Sequence, residues 1–246
     1  MRIIVNGVTG KMGQIVKSMA QEGYANSTFV AGVSPDLEKD QGNLHQSFET
    51  CSEEADAVID FSFHAGVKSL LDFCILRKLP VVIATTGHTE EEKELIALAA
   101  KTIPVFYSAN MSMGVAVLAE TAKRVVAAFP EADVEIIETH HNRKLDVPSG
   151  TALLLADSIK TVRPNATYNI GRSQNGKREK NEIGIHSIRM GNICGIHEIH
   201  INTGNEELVL RHQAFTRDIF AEGAFKAATF ILHKNSGLYD MKSITT

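Results

Sequence analysis

The first half of the chain alternates short apolar runs with amphipathic stretches. Five apolar runs without polar alternation lie at residues 3–5, 28–33, 57–61, 81–84 and 104–107. Stretches with helical spacing lie between them, at residues 11–21, 66–77 and 90–101. Uniformly apolar runs are typical of strands buried on both faces. Strands of this kind separated by helices predict an α/β fold with a Rossmann-like, doubly wound parallel sheet.

The pattern changes after Ser112. Helices are predicted at residues 114–129, 151–162 and 219–233, the last followed by a short tail. Strands are predicted at residues 134–139, 183–189, 197–202 and 208–212, and the chain is strand-rich from Thr167 onward. Their apolar and polar side chains alternate, which is typical of an antiparallel or mixed sheet with one solvent-facing side.

Two segments between these strands are rich in turn-forming residues. Residues 171–182 are very polar and predict a mobile surface loop, with a substrate lid as the alternative. Residues 189–197 contain two glycines between apolar runs and predict a hairpin.

Composition narrows the function classes. The 246 residues suffice for one large or two modest domains, and 43% hydrophobic with 22% charged residues fits an ordinary globular protein. A net charge of −4, no Trp and 6% aromatics argue against nucleic-acid or membrane partners. The three cysteines, Cys51, Cys74 and Cys194, are far apart and suggest no disulfide or metal site. We expect a cytoplasmic enzyme of small molecules, because an apolar strand begins at Ile3 and leaves no room for a signal peptide.

A glycine-rich turn joins the first predicted strand to the first helix. Its glycines follow the spacing Gly-x-x-Gly-x-x-Gly, with Thr9 where a strict dinucleotide fingerprint has its second glycine. Such a turn lets the backbone approach a phosphate, and the helix N-terminus binds the anion. The predicted cofactor-binding residues here are Gly7, Val8, Thr9, Gly10, Lys11 and Met12.

The end of the second strand bears on the choice between NADH and NADPH. An acidic residue there would bind the ribose 2′-hydroxyl of NADH. Ser34 occupies that place, and Asp36 comes two residues later. Lys11 and Lys39 are nearby candidates for a 2′-phosphate, so the sequence allows both cofactors and favours NADPH.

Two further loops follow the ends of parallel strands. One contributes Ala84, Thr85 and Thr86, and the other contributes Ser108, Ala109, Asn110 and Met111. Small and amide side chains suit a planar nicotinamide and its ribose at this edge of the sheet, although such residues also favour ordinary turns.

The densest cluster of polar side chains lies at residues 135–152. His140, His141 and Lys144 fall within five residues, directly after a predicted strand. Ser149, Gly150 and Thr151 then open a helix, whose N–H groups can bind a carboxylate. Cations beside a helix N-terminus predict a dianionic substrate, and a histidine can supply a proton near neutral pH.

At these residues the sequence resembles the 4-hydroxy-tetrahydrodipicolinate reductase (dihydrodipicolinate reductase) family. The stretch 135–152, the glycine turn, the two cofactor loops, the segment 189–197 and the ending 237–241 match in the same order. Two departures are Ala84, where many members carry glycine, and Lys11, where many carry arginine.

The resemblance implies a fold, an activity and an assembly. A dinucleotide-binding domain would comprise residues 1–111 and 218–246, and residues 112–217 would form an α+β domain for substrate binding and tetramerisation. The implied reaction is NAD(P)H-dependent reduction of 4-hydroxy-tetrahydrodipicolinate, with loss of water, in lysine biosynthesis via diaminopimelate. His140 would act as the acid/base and Lys144 as a proton donor, while His141, Gly150 and Thr151 would bind substrate.

Two other functions fit parts of the pattern. A reductase of another cyclic imine or small keto acid would keep the glycine turn without needing the cluster at residues 135–152. A dinucleotide sensor would bind cofactor without turnover. The concentration of proton-transferring groups in that cluster favours the dipicolinate-type substrate.

Overall fold

The chain forms two compact units. We describe residues 1–245 from a computed structural model of the chain. One unit combines Met1–Ser112 with the chain from Asp218 onward, and the other is Met113–Arg217. Neither contains a helix, among the residues described, with the length and apolar character needed to cross a membrane.

The first unit is built on a seven-stranded, wholly parallel sheet. Its strands are β1 (Arg2–Asn6), β2 (Thr28–Val33), β3 (Leu44–His45), β4 (Ala57–Asp60), β5 (Val81–Ile83), β6 (Pro104–Tyr107) and β12 (Gly237–Tyr239). Its helices are α1 (Lys11–Gln21), α2 (Val67–Arg77), α3 (Glu90–Ala99), α6 (Asp218–Ile231) and α7 (Lys242–Thr245). The strand order β12-β6-β5-β4-β1-β2-β3 reverses between β1 and β4, as in a doubly wound sheet. The predicted α/β fold is confirmed.

Burial on both faces explains why the strands of this sheet could be predicted from apolar runs in the sequence. Ile3, Ile4 and Val5 of β1 are each 0% exposed, because helices cover both faces of the sheet. Helix α3 begins at a capping box, in which Thr89 accepts from the Glu92 N–H and Glu92 accepts from the Thr89 N–H.

Two short strands are not predicted by the sequence pattern. The predicted tail after the last helix contains β12, which pairs with β6, and β3 adds a two-residue strand beside β2. Strands of two or three residues are too short to show a periodicity.

The second unit contains a five-stranded mixed sheet. Its strands are β7 (Asp133–His140), β8 (Thr167–Ile170), β9 (Glu182–Arg189), β10 (Gly195–Asn202) and β11 (Glu207–Ala214). Their order is β11-β10-β7-β9-β8, with β7 parallel to β9 and antiparallel to β10. Helices α4 (Met113–Ala128) and α5 (Gly150–Lys160) pack on the buried side chains of one sheet face. The predicted mixed sheet with one covered face is confirmed.

The predicted hairpin at residues 189–197 is wrong. Strands β9 and β10 lie on opposite sides of β7, so the segment between them crosses the end of β7. Its backbone is bonded there, from the His141 N–H to the Ile193 carbonyl at 2.8 Å and from the Met190 N–H to the His140 carbonyl at 2.9 Å. The glycines indicated a reversal correctly, but a turn pattern does not reveal a third strand between the two arms.

A buried histidine makes the stability of the first unit sensitive to acid. His88 is 7% exposed, packs edge-on to Tyr107 at 5.3 Å between ring centroids, and neither ring nitrogen has a hydrogen-bond partner among the described residues. Burial lowers its pKa below the ordinary value of 6.5.

Because the folded-state pKa of His88 is the lower one, its neutral ring contributes stability above pH 6.5 that is lost as the pH falls through the folded-state pKa. We expect His88→Phe to flatten the acid side of the stability profile, since phenylalanine keeps the ring contact without a proton to bind. Urea unfolding between pH 5 and 8 measures the free energy of unfolding of the wild type and of His88→Phe. If this free energy falls equally steeply with acid in both proteins, His88 is not the source of the acid sensitivity.

Candidate active site

The glycine turn is shaped to receive a phosphate. Gly7 adopts φ +78°, and the N–H groups of Gly7 and Val8 donate to the Val33 carbonyl at 2.8 and 3.2 Å. Helix α1 follows with Gly10 as its N-cap and no side-chain cap, so its first turn presents amides to an anion. Gly13 packs on the turn so closely that a Cβ there would lie 2.0 Å from the Gly7 oxygen.

A cavity of about 670 Å³ opens beside this turn. Its lining, all within the first unit, includes Asn6, Gly7, Thr9, Gly10, Val33, Ser34, Pro35, Asp36, Phe48, Phe61, Ser62 and Phe63. The cavity lies at the carboxyl ends of β1, β2 and β4, which is where doubly wound sheets bind dinucleotides. Small residues at the turn and aromatic rings further out fit a phosphate and a base.

Of the residues that bear on the choice between NADPH and NADH, some line the cavity and others do not. The Ser34 and Thr9 hydroxyls lie 2.7 Å apart at the cavity wall. Asp36 also lines the cavity, whereas Lys11 and Lys39 are exposed and lie outside its described lining.

The loop at residues 84–86 contacts a buried carboxylate that sequence reasoning missed. Asp60, 1% exposed at the end of β4, accepts from Thr85 Oγ1 at 2.7 Å and from Asn6 Nδ2 at 2.8 Å. It also accepts from Ser62 Oγ at 2.6 Å. Burial raises the pKa of Asp60, and these hydrogen bonds oppose the rise. Asp60 therefore joins the ends of β1, β4 and β5, and the signal available in the sequence was a carboxylate inside an apolar run.

The second loop is ordered by its own side chains. Ser108 Oγ donates to the Asn110 carbonyl at 2.8 Å, and the Ser112 N–H donates to Asn110 Oδ1 at 2.8 Å. Met111 is buried and Ala109 is exposed. Ala84 is buried, and its N–H donates to the Asp60 carbonyl at 2.9 Å, while Thr86 is exposed.

In the second unit, an ion-paired glutamate holds His140 at the end of β7. His140 is 8% exposed, and its Nδ1 lies 2.5 Å from Glu138 Oε2. Arg189, the last residue of β9, donates to both oxygens of Glu138 at 2.8 and 2.7 Å. Burial would raise the pKa of Glu138, but the bonds from His140 and Arg189 outweigh it and hold that pKa well below its usual range.

Ser149 connects this group to the start of α5. Its Oγ accepts from the Ala152 N–H at 3.2 Å, and its own N–H donates to Glu138 Oε1 at 3.1 Å. His197 on β10 places Nε2 3.1 Å from Ser149 Oγ. Burial, together with the charge of nearby His140, lowers the pKa of His197 to about 3, so this ring is neutral at pH 7.

The remaining cations lie in the loop after β7. The Lys144 side chain forms an ion pair with Asp146 at 2.8 Å. The backbone N–H of Lys144 donates to the His141 carbonyl at 3.1 Å. Desolvation and then the charges of Arg143 and Arg217 lower the pKa of His141. This loop concentrates positive charge beside the helix that Ser149 opens, which suits an anionic ligand.

Most of the predicted substrate-site residues lie together on this loop and helix. His140 and Ser149 both contact Glu138, and Gly150 and Thr151 form the first turn of α5. Sequence reasoning missed Glu138, Arg189 and His197 as members of the site. Arg189 and His197 lie in the segment 189–197, which the sequence predicts to be a hairpin with a structural role.

An anion-binding turn on a doubly wound sheet, and a histidine and lysine beside a second helix N-terminus, together define a nicotinamide-dependent oxidoreductase of small anionic substrates. Family models described as "Dihydrodipicolinate reductase, N-terminus" and "Dihydrodipicolinate reductase, C-terminus" match residues 1–111 and 114–245. The chain belongs to the dihydrodipicolinate reductase family.

Individual relatives agree along the whole chain. A 4-hydroxy-tetrahydrodipicolinate reductase from Caldanaerobacter subterraneus is 42% identical over 99% of this chain and 97% of its own length. One from Clostridium tetani is 43% identical over 98% of this chain and 95% of its own length. A dipicolinate-bound dihydrodipicolinate reductase from Paenisporosarcina sp. TG-14 superposes with a TM-score of 0.81 at 25% identity, covering 98% of this chain and 97% of that one.

The activity follows from membership. The enzyme reduces 4-hydroxy-tetrahydrodipicolinate to tetrahydrodipicolinate with NAD(P)H and loss of water, in lysine biosynthesis via diaminopimelate. A solved myo-inositol dehydrogenase from Corynebacterium glutamicum, 13% identical with a TM-score of 0.58, shares the fold alone.

Proposed function

We propose that His140 and Lys144 move the protons of this reduction while the first turn of α5 binds the substrate carboxylates. The observation that carries the proposal is the Glu138 carboxylate, which contacts both His140 and the Ser149 amide and so places a proton-transferring group beside an anion-binding turn. The reaction consumes one hydride and one proton and releases one water, so it needs such a group beside the bound ring.

The cofactor is bound by the first unit in this proposal. The turn at residues 7–12 holds the pyrophosphate through the amides of the first turn of α1, and the cavity beside Ser34 takes the adenosine. The loops at residues 84–86 and 108–111 hold the nicotinamide ribose and ring. When bound, NADPH or NADH supplies the hydride.

The substrate is a small dicarboxylate held by the second unit. The dipicolinate in the Paenisporosarcina relative supports this ligand class. Here His141, Lys144 and the amides of Gly150 and Thr151 in the first turn of α5, which Ser149 caps, supply the donors. A carboxylate would replace Asp146 as the partner of Lys144, which conserves the ion pair on binding.

The experiment that tests the proposal is nicotinamide oxidation by the purified protein. The substrate is generated in situ from pyruvate and aspartate semialdehyde by the preceding synthase, with NADPH and NADH run side by side. We expect synthase-dependent oxidation and inhibition by pyridine-2,6-dicarboxylate. Oxidation without that inhibition would favour another carbonyl or imine substrate, and cofactor binding without oxidation would favour a sensor.

We propose that both cofactors support turnover, with NADPH preferred. Ser34 supports this preference because it leaves no carboxylate at the strand end, whereas Asp36 opposes a 2′-phosphate from the cavity wall.

We expect Asp36→Asn to lower the KM for NADPH about three- to tenfold, since it removes one like charge from a partly solvated site. The KM for NADH is the internal control. Equal changes in both values would exclude a role in phosphate discrimination.

The assembly and the location are also proposals. The sheet face opposite α4 and α5 exposes Ile188 and Val209 by 43% and 45%, which supports burial of that face in a homotetramer. Sedimentation velocity measures the oligomeric state. In this proposal residues 112–217 carry substrate binding and assembly, residues 1–111 and 218–246 carry the cofactor, and the enzyme works in the cytoplasm without nucleic-acid or membrane partners.

A further inference from the structure

We propose that Glu138 is a positioning residue, which keeps the His140 proton on Nδ1 and leaves Nε2 as the atom that exchanges protons with the substrate. This inference rests on the proposed role of His140 and adds the atom that acts and the group that selects it.

The carboxylate of Glu138 is fixed from several directions. It is 0% exposed and accepts from His140 Nδ1 and Arg189 at Oε2, and from Arg189 and the Ser149 N–H at Oε1. The two terminal guanidinium nitrogens of Arg189 bind it, one on each oxygen, at 2.8 and 2.7 Å. A carboxylate held in this fork cannot rotate away from the histidine.

The chemistry of the pair determines the tautomer. An ionised carboxylate only accepts hydrogen bonds, so the His140 nitrogen facing it must carry a proton. The 2.5 Å separation of Nδ1 and Oε2 is that of a strong, charge-assisted bond. In the neutral ring, Nε2 is then an unprotonated acceptor.

The absence of a side chain on Gly195 leaves space beside Nε2. A Cβ on Gly195 would stand 3.1 Å from Nε2, so a larger residue there would crowd this atom. The His197 ring packs edge-on at 5.2 Å between centroids, with 73° between the planes, and limits rotation of the imidazole.

The same carboxylate fixes the distance from His140 to the anion-binding turn. Glu138 accepts the Ser149 N–H, and Ser149 caps α5 through the Ala152 N–H. Arg189 also donates to the Asp146 carbonyl at 2.8 Å, which ties the lysine-bearing loop to the same centre. Glu138 thereby sets the position of the proton-exchanging atom relative to the bound carboxylates.

The test is Glu138→Gln, combined with ¹⁵N NMR of the histidine rings. A glutamine can keep its oxygen toward Arg189 and turn its amide NH₂ toward His140 Nδ1, which would move the ring proton to Nε2. We expect kcat to fall about 10²–10⁴-fold. The Kd for pyridine-2,6-dicarboxylate should change less than about threefold, since the proposed carboxylate ligands remain. The His140 spectrum should change from the Nδ1–H to the Nε2–H form.

Glu53→Gln is the matched control. Glu53 forms the same kind of carboxylate–histidine contact with His45, at 2.9 Å in the first unit, outside the proposed machinery. We expect no change in kcat or in the His140 spectrum. Glu138→Asp keeps the negative charge and should retain the Nδ1–H form with a smaller loss of kcat.

The wild-type spectrum keeps the inference falsifiable if Glu138→Gln does not fold. Neutral His140 protonated at Nε2 in the wild-type enzyme would overturn the proposal, as would full kcat in folded Glu138→Gln. A failure of the proposed role of His140 in proton transfer would give a different result. His140→Gln would then retain turnover, while wild-type His140 would still be protonated at Nδ1.

Discussion

Replacing Lys144 by alanine is expected to lower kcat about 10²–10⁴-fold while the Kd for NADPH changes little. The ammonium group lies on the loop after β7 and pairs with Asp146 at 2.8 Å, where it can donate a proton or bind a carboxylate. Loss of proton donation alone accounts for a fall of this size. Stopped-flow single turnovers separate the chemical step from cofactor binding, which fluorescence titration measures.

Lys180→Ala is the control for Lys144→Ala. Lys180 also pairs with a carboxylate, that of Glu131 at 2.7 Å, on the surface of the same unit. We expect near wild-type kcat from this variant, because an exposed pair contributes little. If Lys144→Ala also kept near wild-type turnover, Lys144 would have no role in proton transfer.

Replacing Gly13 by alanine is expected to abolish NAD(P)H binding and to lower the free energy of unfolding by about 3 kcal/mol or more. The new Cβ would lie 2.0 Å from the Gly7 oxygen and 2.9 Å from the Val8 Cα, both of them backbone atoms. Helix α1 would have to move away from the turn, and its N-terminus would leave the phosphate position. Urea unfolding and cofactor titration measure the two effects.

Gly176→Ala is the matched substitution for Gly13→Ala. Nothing lies within 4 Å of a Cβ at Gly176, and its φ does not fall in the left-handed region, so we expect little change in stability or binding. Wild-type cofactor affinity in Gly13→Ala would show that the packing of α1 on the turn is dispensable.

The doubly wound sheet could be predicted because its strands are buried on both faces. Runs such as residues 3–5 and 81–84 therefore carry a signal that does not depend on their neighbours in space. The reductase family could be predicted because its chemistry is concentrated in consecutive residues. His140, Ser149 and Gly150 are brought together by one strand, one loop and one helix start.

The rest of the site depends on strand order, which the sequence pattern does not contain. Arg189 and His197 flank β7 only because β9 and β10 lie on either side of it. Interpreted as a hairpin, the same segment would have paired these strands with each other and left His140 without its two neighbours. Asp60 was missed for a similar reason, since its partners Asn6 and Thr85 come from β1 and from the loop after β5.

The chain order of the two units has a consequence for biosynthesis. Residues 113–217 form their unit from one uninterrupted stretch, so its sheet is complete once Ala214 has left the ribosome. The cofactor unit begins earlier in the chain but finishes later, because α6 packs on β4, β5 and β6 and β12 extends the sheet beyond β6. During translation the N-terminal strands therefore remain incompletely packed, with part of their apolar surface uncovered, while the inserted unit is synthesised. Nascent chains that stall between residues 217 and 231 would carry a finished substrate unit and an aggregation-prone cofactor unit.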